Sequence, residues 1–295
     1  MYEGIRSPAI HMPKTMGDLV SAATRFPNAT FWAGGTYLMS RHDYYPTRDS
    51  NDIISLSEIP ELKKINRTDR FLEVGSMVDI SQLVSVGKQV IPDLLHMTLL
   101  SMATRIVRKQ ITIGGALCTP DLRLALSGTL AVLNSEVEVR TCDGPRSDSR
   151  WLSVSRLYDR TGALLLAKNE VVTRVRIGFE QENFSTFMTA GNPMLTPTET
   201  VIFSAVCSYS QSTVHSFRFC FTLPHGGFYI SPEIEMLIRG LLLPLSPVQV
   251  ARITRSLSLE IEDGHQPISG IQKERIRRFF ESALHELNSQ SLSEQ

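Results

Sequence analysis

Two double-glycine segments constrain this chain more than any other feature. One is FWAGGTYL (Phe31–Leu38); the other, ITIGGAL (Ile111–Leu117), comes about eighty residues later. Each follows a short apolar run that reads as the end of a regular element. Adjacent glycines carry no Cβ, so the backbone can take φ > 0 or lie directly against another group, at an entropic cost of order 0.5–1 kcal/mol each. A tight turn justifies that cost, and so does a ligand seated on backbone N–H groups. The N–H groups around Gly34–Tyr37 and Gly114–Leu117 have the spacing of two anion-binding nests. Two ordinary turns would be written with the same letters, so both readings stay open at this point.

Hydrophobic periodicity supplies the frame around these segments. Thr15-Met-Gly-Asp18 has the spacing of a capping box, followed by Leu19, Val20, Ala22 and Ala23, and predicts a helix over about 16–25. Short strands are expected at TFW, at DIISL (Asp52–Leu56) and at FLEVGSM (Phe71–Met77), which alternates like a half-buried strand. Asp79–Val86 opens a helix, and Leu94–Ile106 reads as one continuous apolar helix. Strands follow within Leu130–Arg140 and at Glu170–Ile177. Glu182–Pro197 is rich in polar and turn residues and reads as a boundary or active-site loop. VIFSAVCSYS and VHSFRFCFTL then form an antiparallel pair, and the last third changes to helical period. Ser246-Pro247 has the form of an N-cap with proline at the first helical position, opening a helix to about Leu259. Gln272–Leu287 is amphipathic, and the polar tail NSQSLSEQ is expected to be disordered.

Composition narrows the function classes. Thirty basic and thirty acidic side chains cancel among 295 residues, which argues against nucleic-acid binding. No apolar run reaches the roughly 18–20 residues that cross a bilayer, and MYEGIRSPAIHMPKT has no apolar secretory core. A cytoplasmic protein without a membrane span is the expectation. Cys118, Cys142, Cys207 and Cys220 are scattered, and the seven histidines show no metal-ligand spacing, so no metal site is expected. Neither glycine pair is GxGxxG, which disfavours a nicotinamide-binding Rossmann domain. Leu223–Phe228 (LPHGGF) has the look of an esterase oxyanion element, but the chain holds no GxSxG nucleophile, so a turn is expected there. Arg105, Arg108 and Lys109 crowd the residues before TIGG, either as a solvated basic helix end or as neighbours of a phosphate.

The order PKTMGDLVSAA, FWAGGTYL, DIISLSEIPELKKI, LEVGSMVDISQL and RKQITIGGALCTPDLRLALSGTLAVLNSEVEVR resembles the FAD-binding medium subunit of the molybdenum hydroxylases, the xanthine dehydrogenase and carbon monoxide dehydrogenase flavoprotein family. The likeness runs over roughly residues 8–178 and extends more weakly to RRFFESALHEL near the end. The resemblance implies an α+β protein: a two-part FAD-binding domain of the vanillyl-alcohol-oxidase/CO-dehydrogenase flavoprotein type at 1–180 (parts about 1–58 and 59–180), and a smaller C-terminal α+β domain at 185–288 before a disordered 289–295. It implies FAD as cofactor, with Ala33, Gly34, Gly35 and Thr36, and Thr112, Ile113, Gly114 and Gly115, offering backbone donors to the pyrophosphate. Tyr37, Lys109 and Asp121 are the implied neighbours. The chain would relay electrons between an iron–sulfur centre and an external acceptor, so a molybdopterin-binding large subunit and a [2Fe-2S] small subunit are the implied partners. No nucleophile or general base is required of it.

This chain departs from the family pattern in several places. Tyr37 stands where aspartate is common, Ala116 where asparagine is, Lys109 where asparagine is, and Ala125 where a later aspartate would fall. Thr189–Gly191 lacks the family's basic residues. A relative that has kept the fold as a structural subunit and lost the flavin, or a free-standing flavin oxidase with a tethering His or Cys, is the alternative.

Overall fold

The computed structural model describes residues 9–40, 52–119, 125–144, 147–159, 162–193, 195–224, 227–264 and 268–293. Near its start, the Thr15 hydroxyl accepts from the Asp18 N–H while the Asp18 carboxylate accepts from the Thr15 N–H, both at 3.1 Å. This capping box opens α1 (Met16–Arg25) where the spacing predicts it. The helix connects β1 (Ile10–His11) to β2 (Thr30–Trp32), and α2 (Thr36–Ser40) follows directly after the first glycine pair. Both strands pair in parallel with β3 (Ile53–Ser55). Leu19 and Ala23 bury against Ile54, Leu56, Ile59 and Leu62 to make a first small core.

A second unit is built on an antiparallel sheet ordered β4 (Ile65–Arg67), β5 (Phe71–Gly75), β8 (Glu170–Gly178), β6 (Glu136–Thr141) and β7 (Ser149–Ser153). Alternation turns Leu72, Val74, Val137, Val139, Val175 and Ile177 inward, onto α3 (Ile80–Val86), α4 (Asp93–Ser101), α6 (Ile113–Leu117) and α7 (Ala125–Val132). The opposite face carries Arg174 and Arg176 bonded to Glu138 and Glu73, with the Arg176 guanidinium 3.9 Å from the Trp151 ring centre. Between α4 and α6 lies the four-residue α5 (Arg105–Arg108).

The third sheet is antiparallel, in the order β12 (Gly227–Tyr229), β11 (Thr213–Leu223), β10 (Val201–Ser210) and β9 (Phe184–Ala190). It is covered on both faces, which explains why β10 reads as an almost unbroken apolar run. Phe203, Phe219 and Phe221 meet Phe280 and the other apolar residues of α8 (Pro232–Ile238), α9 (Pro247–Asp263) and α10 (Gly270–Ser293). On the other face, Ser204 bonds Thr129 at 2.9 Å and Thr129 bonds Thr98 at 2.7 Å, tying β10 to α7 and α4 with a buried chain of hydroxyls.

Three expectations fail. Leu94–Ile106 is not one helix: α4 stops at Ser101, Ala103 takes φ 47°, and the Thr104 hydroxyl caps α5. Residues 94–106 hold no glycine or proline to signal such a break. Phe184–Ala190 is a strand rather than loop, paired with β10 along its length; its hydroxyl-bearing residues suit a sheet edge, and the turn is confined to the residues after Gly191. The tail is helical through Ser293, because Asn288 accepts from the Leu245 N–H at 2.6 Å and donates to the Leu245 carbonyl at 2.9 Å.

Candidate functional site

The two glycine segments meet. Gly34 lies so close to the chain before the second segment that a Cβ there would stand 1.7 Å from the Gln110 carbonyl oxygen. Gly114 packs the same way, its absent Cβ falling 2.6 Å from the Ser76 Cβ. Of the four glycines only Gly35 has a positive φ, 73°, with the Trp32 ring filling the space beneath it. Close approach of two backbones, more than turn geometry, is what requires glycine here.

Around this contact opens a cavity of about 540 Å³, within the roughly 300–1,000 Å³ of small-molecule sites. The first segment supplies Ala33, Gly34, Gly35, Thr36 and Tyr37; the second supplies Thr112, Gly114, Gly115 and Ala116. Thr30, Phe31 and Leu56 come from around the parallel sheet, Ala103 and Val107 from the break and turn before TIGG, and Leu164 to Val172 from the approach to β8 and its first residues.

The segments differ in what they offer. The N–H groups of Ala33, Gly34, Gly35 and Thr36 donate to no described residue. In the second segment the donors from Ile113 to Ala116 are engaged. The Ile113 N–H bonds the Val78 carbonyl and the Gly114 N–H the Ser76 carbonyl, each at 2.9 Å. The Gly115 N–H bonds the Thr112 hydroxyl at 3.1 Å, and the Ala116 N–H bonds the Thr112 carbonyl at 2.9 Å. TIGG is therefore the capped first turn of α6 and not a nest with free donors. The two segments therefore present different sets of donors to the cavity.

Other expected residues separate as follows. Ile113 is fully buried in the core, and Lys109 is exposed at the end of α5, outside the cavity lining. Asp121 lies outside the described residues, and so does His225 of LPHGGF. None of the described residues of 182–197, read as a boundary or active-site loop, lines the cavity. The Leu164–Val172 wall was missed, since a run of leucines beside a strand carries no sign of a ligand.

Charge in the cavity is sparse. Glu170 accepts from the Arg150 guanidinium, the Ala167 N–H and the Thr141 hydroxyl. Arg150 above all holds this carboxyl below the ordinary carboxylate range. Cys118 also lines the cavity, and burial pushes its thiol up to about 12, so it is a neutral thiol at physiological pH. No described group of three His, Cys, Asp or Glu side chains has the arrangement to hold a metal ion. No described helix is long and apolar enough to cross a membrane.

Residues 5–179 match the model of the FAD binding domain in molybdopterin dehydrogenase. The chain belongs to this family. FAD is the family's cofactor, and the cavity suits it: free amides for an anionic diphosphate on one side, apolar walls for ring systems on the rest. In sequence, the chain is 25% identical over 179 residues to xanthine dehydrogenase 2 of Arabidopsis thaliana. That match takes in 56% of this chain and 13% of the relative, so this chain spans only a small part of the relative's length. In fold, it is similar to quinoline 2-oxidoreductase from Pseudomonas putida 86, with a TM-score of 0.80 at 16% identity over 95% of this chain and 96% of the other. It is similar also to carbon monoxide dehydrogenase from Hydrogenophaga pseudoflava, with a TM-score of 0.78 at 19% identity over 95% and 96%. For CO dehydrogenase from Oligotropha carboxidovorans the TM-score is 0.78 at 17% identity over 99% of each chain. The structural matches span the N-terminal units and the C-terminal sheet with its helices, and show a shared α+β fold.

Proposed function

We propose that this chain is the FAD-binding subunit of a multi-subunit molybdenum-containing oxidoreductase, passing electrons between an iron–sulfur subunit and an external acceptor. The observation that carries the reading is the set of four unengaged N–H groups at Ala33–Thr36, opening into a cavity that the second glycine segment closes. Those amides hold the diphosphate of FAD. Thr112 fixes α6 against it, and Val107, Leu164, Leu166 and Val172 wall the rings from water. FAD supplies the redox chemistry; the protein contributes binding, orientation and electrostatics. Glu170, locked to Arg150, and the neutral Cys118 are poor candidates for proton transfer, as suits a relay that needs no acid or base.

In this reading the first two cores together form the FAD-binding domain up to about residue 180, and the C-terminal sheet with α8, α9 and α10 forms the second domain. The partners are a molybdopterin-binding subunit and a [2Fe-2S] subunit. A second reading, a structural subunit without flavin, draws on Ala116 and on the engaged amides of the second segment, which leave fewer donors for a cofactor. Stopped-flow spectroscopy separates them. In the relay, bound flavin is bleached by a reduced [2Fe-2S] donor and recovers its colour on adding a soluble acceptor. Flavin that binds but exchanges no electrons, or a chain that binds none, contradicts the relay.

A further inference from the structure

Ser76 stands out among the polar groups of the cavity. It follows β5 directly, is 2% exposed, and its hydroxyl is a buried oxygen without a hydrogen-bond partner. Its backbone is fixed on both sides: the N–H donates to the Thr173 carbonyl at 2.9 Å, and the carbonyl accepts from the Gly114 N–H at 2.9 Å. The side chain lies against Gly114, and the residue is part of the cavity lining. Three other cavity hydroxyls are engaged locally: Thr112 accepts from Gly115, Thr119 donates to the Ala116 carbonyl, and Ser40 donates to the Tyr37 carbonyl. A buried hydroxyl left unsatisfied is costly, so a position like this one calls for a partner on the ligand.

Resting on the FAD reading above, we propose that Ser76 is a cofactor-contacting residue whose hydroxyl donates to a phosphate oxygen of the FAD diphosphate. The site is then asymmetric: amides at Ala33–Thr36 grip the diphosphate from one side, and a side-chain hydroxyl reaches it from the other, where the Ile113–Ala116 amides are taken. Gly114 matters to this arrangement because any side chain there would push Ser76 out of place.

Fluorescence titrations with FAD and with riboflavin, which lacks the phosphates, test the assignment on the full chain and its S76A variant, together with the melting temperature of each without flavin. A hydrogen bond to a charged group implies about a tenfold or greater loss of FAD affinity in S76A. Riboflavin affinity stays within about twofold, and the flavin-free variant melts no lower than the parent, since it has lost only an unpaired hydroxyl. Equal FAD affinities in parent and variant overturn the Ser76 assignment while leaving FAD binding intact. Equal losses for FAD and riboflavin, or a lower melting temperature without flavin, make Ser76 a packing residue and overturn it as well. A parent chain that binds no flavin overturns the FAD reading itself, and the Ser76 assignment with it.

Discussion

A methyl group at position 34 would stand 1.7 Å from the Gln110 carbonyl oxygen, and the obstacle is backbone, which cannot rotate away. Gly34→Ala is therefore expected to cost about 1–3 kcal/mol of stability and to separate the two segments that shape the cavity. Urea denaturation and FAD titration measure the two effects, and a Gly34→Ala variant as stable as the parent would contradict the close contact. On the outer face of the five-stranded sheet, burial works against ionising Glu138, but Arg174 and Thr173 outweigh it and the carboxyl titrates below its ordinary range. Glu170 is held low by Arg150. A depressed carboxylate adds stability that is complete above its unfolded pKa and is lost as pH falls through the folded one. Stability is thus expected to be flat above about pH 5 for these two groups and to fall on acidification below about pH 4. A double Glu138→Gln, Glu170→Gln variant should show a shallower acid limb in melting temperature; an unchanged limb would contradict the role of these pairs.

Among the elements, α10 best shows what the sequence conceals. Its last turns look like a polar tail, yet Asn288 holds both backbone groups of Leu245, which precedes the Ser246 cap of α9. Asn288→Ala leaves an N–H and a carbonyl without partners and is expected to cost about 1–3 kcal/mol, read as a lower urea midpoint. A midpoint unchanged by the substitution would show that the tail is dispensable. Elements with a local signature could be read from the letters: the Thr15–Asp18 capping box, the Ser246-Pro247 helix start, the alternation in β5, the strand at β8, and the β10–β11 pair. Those set by partners distant in sequence could not. The edge strand β9 and the last turns of α10 depend on long-range contacts, and the left-handed Ala103 that ends α4 is a residue type with no preference for that conformation. At the site the two glycine segments announced themselves, and their shared cavity follows from them. Whether their N–H groups are free depends on Val78 and Ser76, which are remote from TIGG in sequence, and no local pattern reports that.

At the scale of the whole molecule, the cavity lies where the parallel-sheet unit meets the five-stranded one: Thr30, Ala33–Leu38 and Leu56 face it from the first, Gly114–Ala116 and Glu170–Val172 from the second. The C-terminal sheet stands apart from the lining and braces α7 and α4 through Ser204, Thr129 and Thr98. A ligand in this cavity contacts both N-terminal units at once and stabilises the assembled form over the separated one, by about 2.7 kcal/mol at a hundredfold excess over Kd. The central claim is that this cavity holds FAD despite Tyr37 and Ala116. The most direct test is the visible absorption spectrum of the purified chain, incubated with FAD and then desalted. The account predicts flavin bands that stay with the protein at close to one flavin per chain. A protein that elutes colourless, with its melting temperature unmoved by FAD, would contradict it.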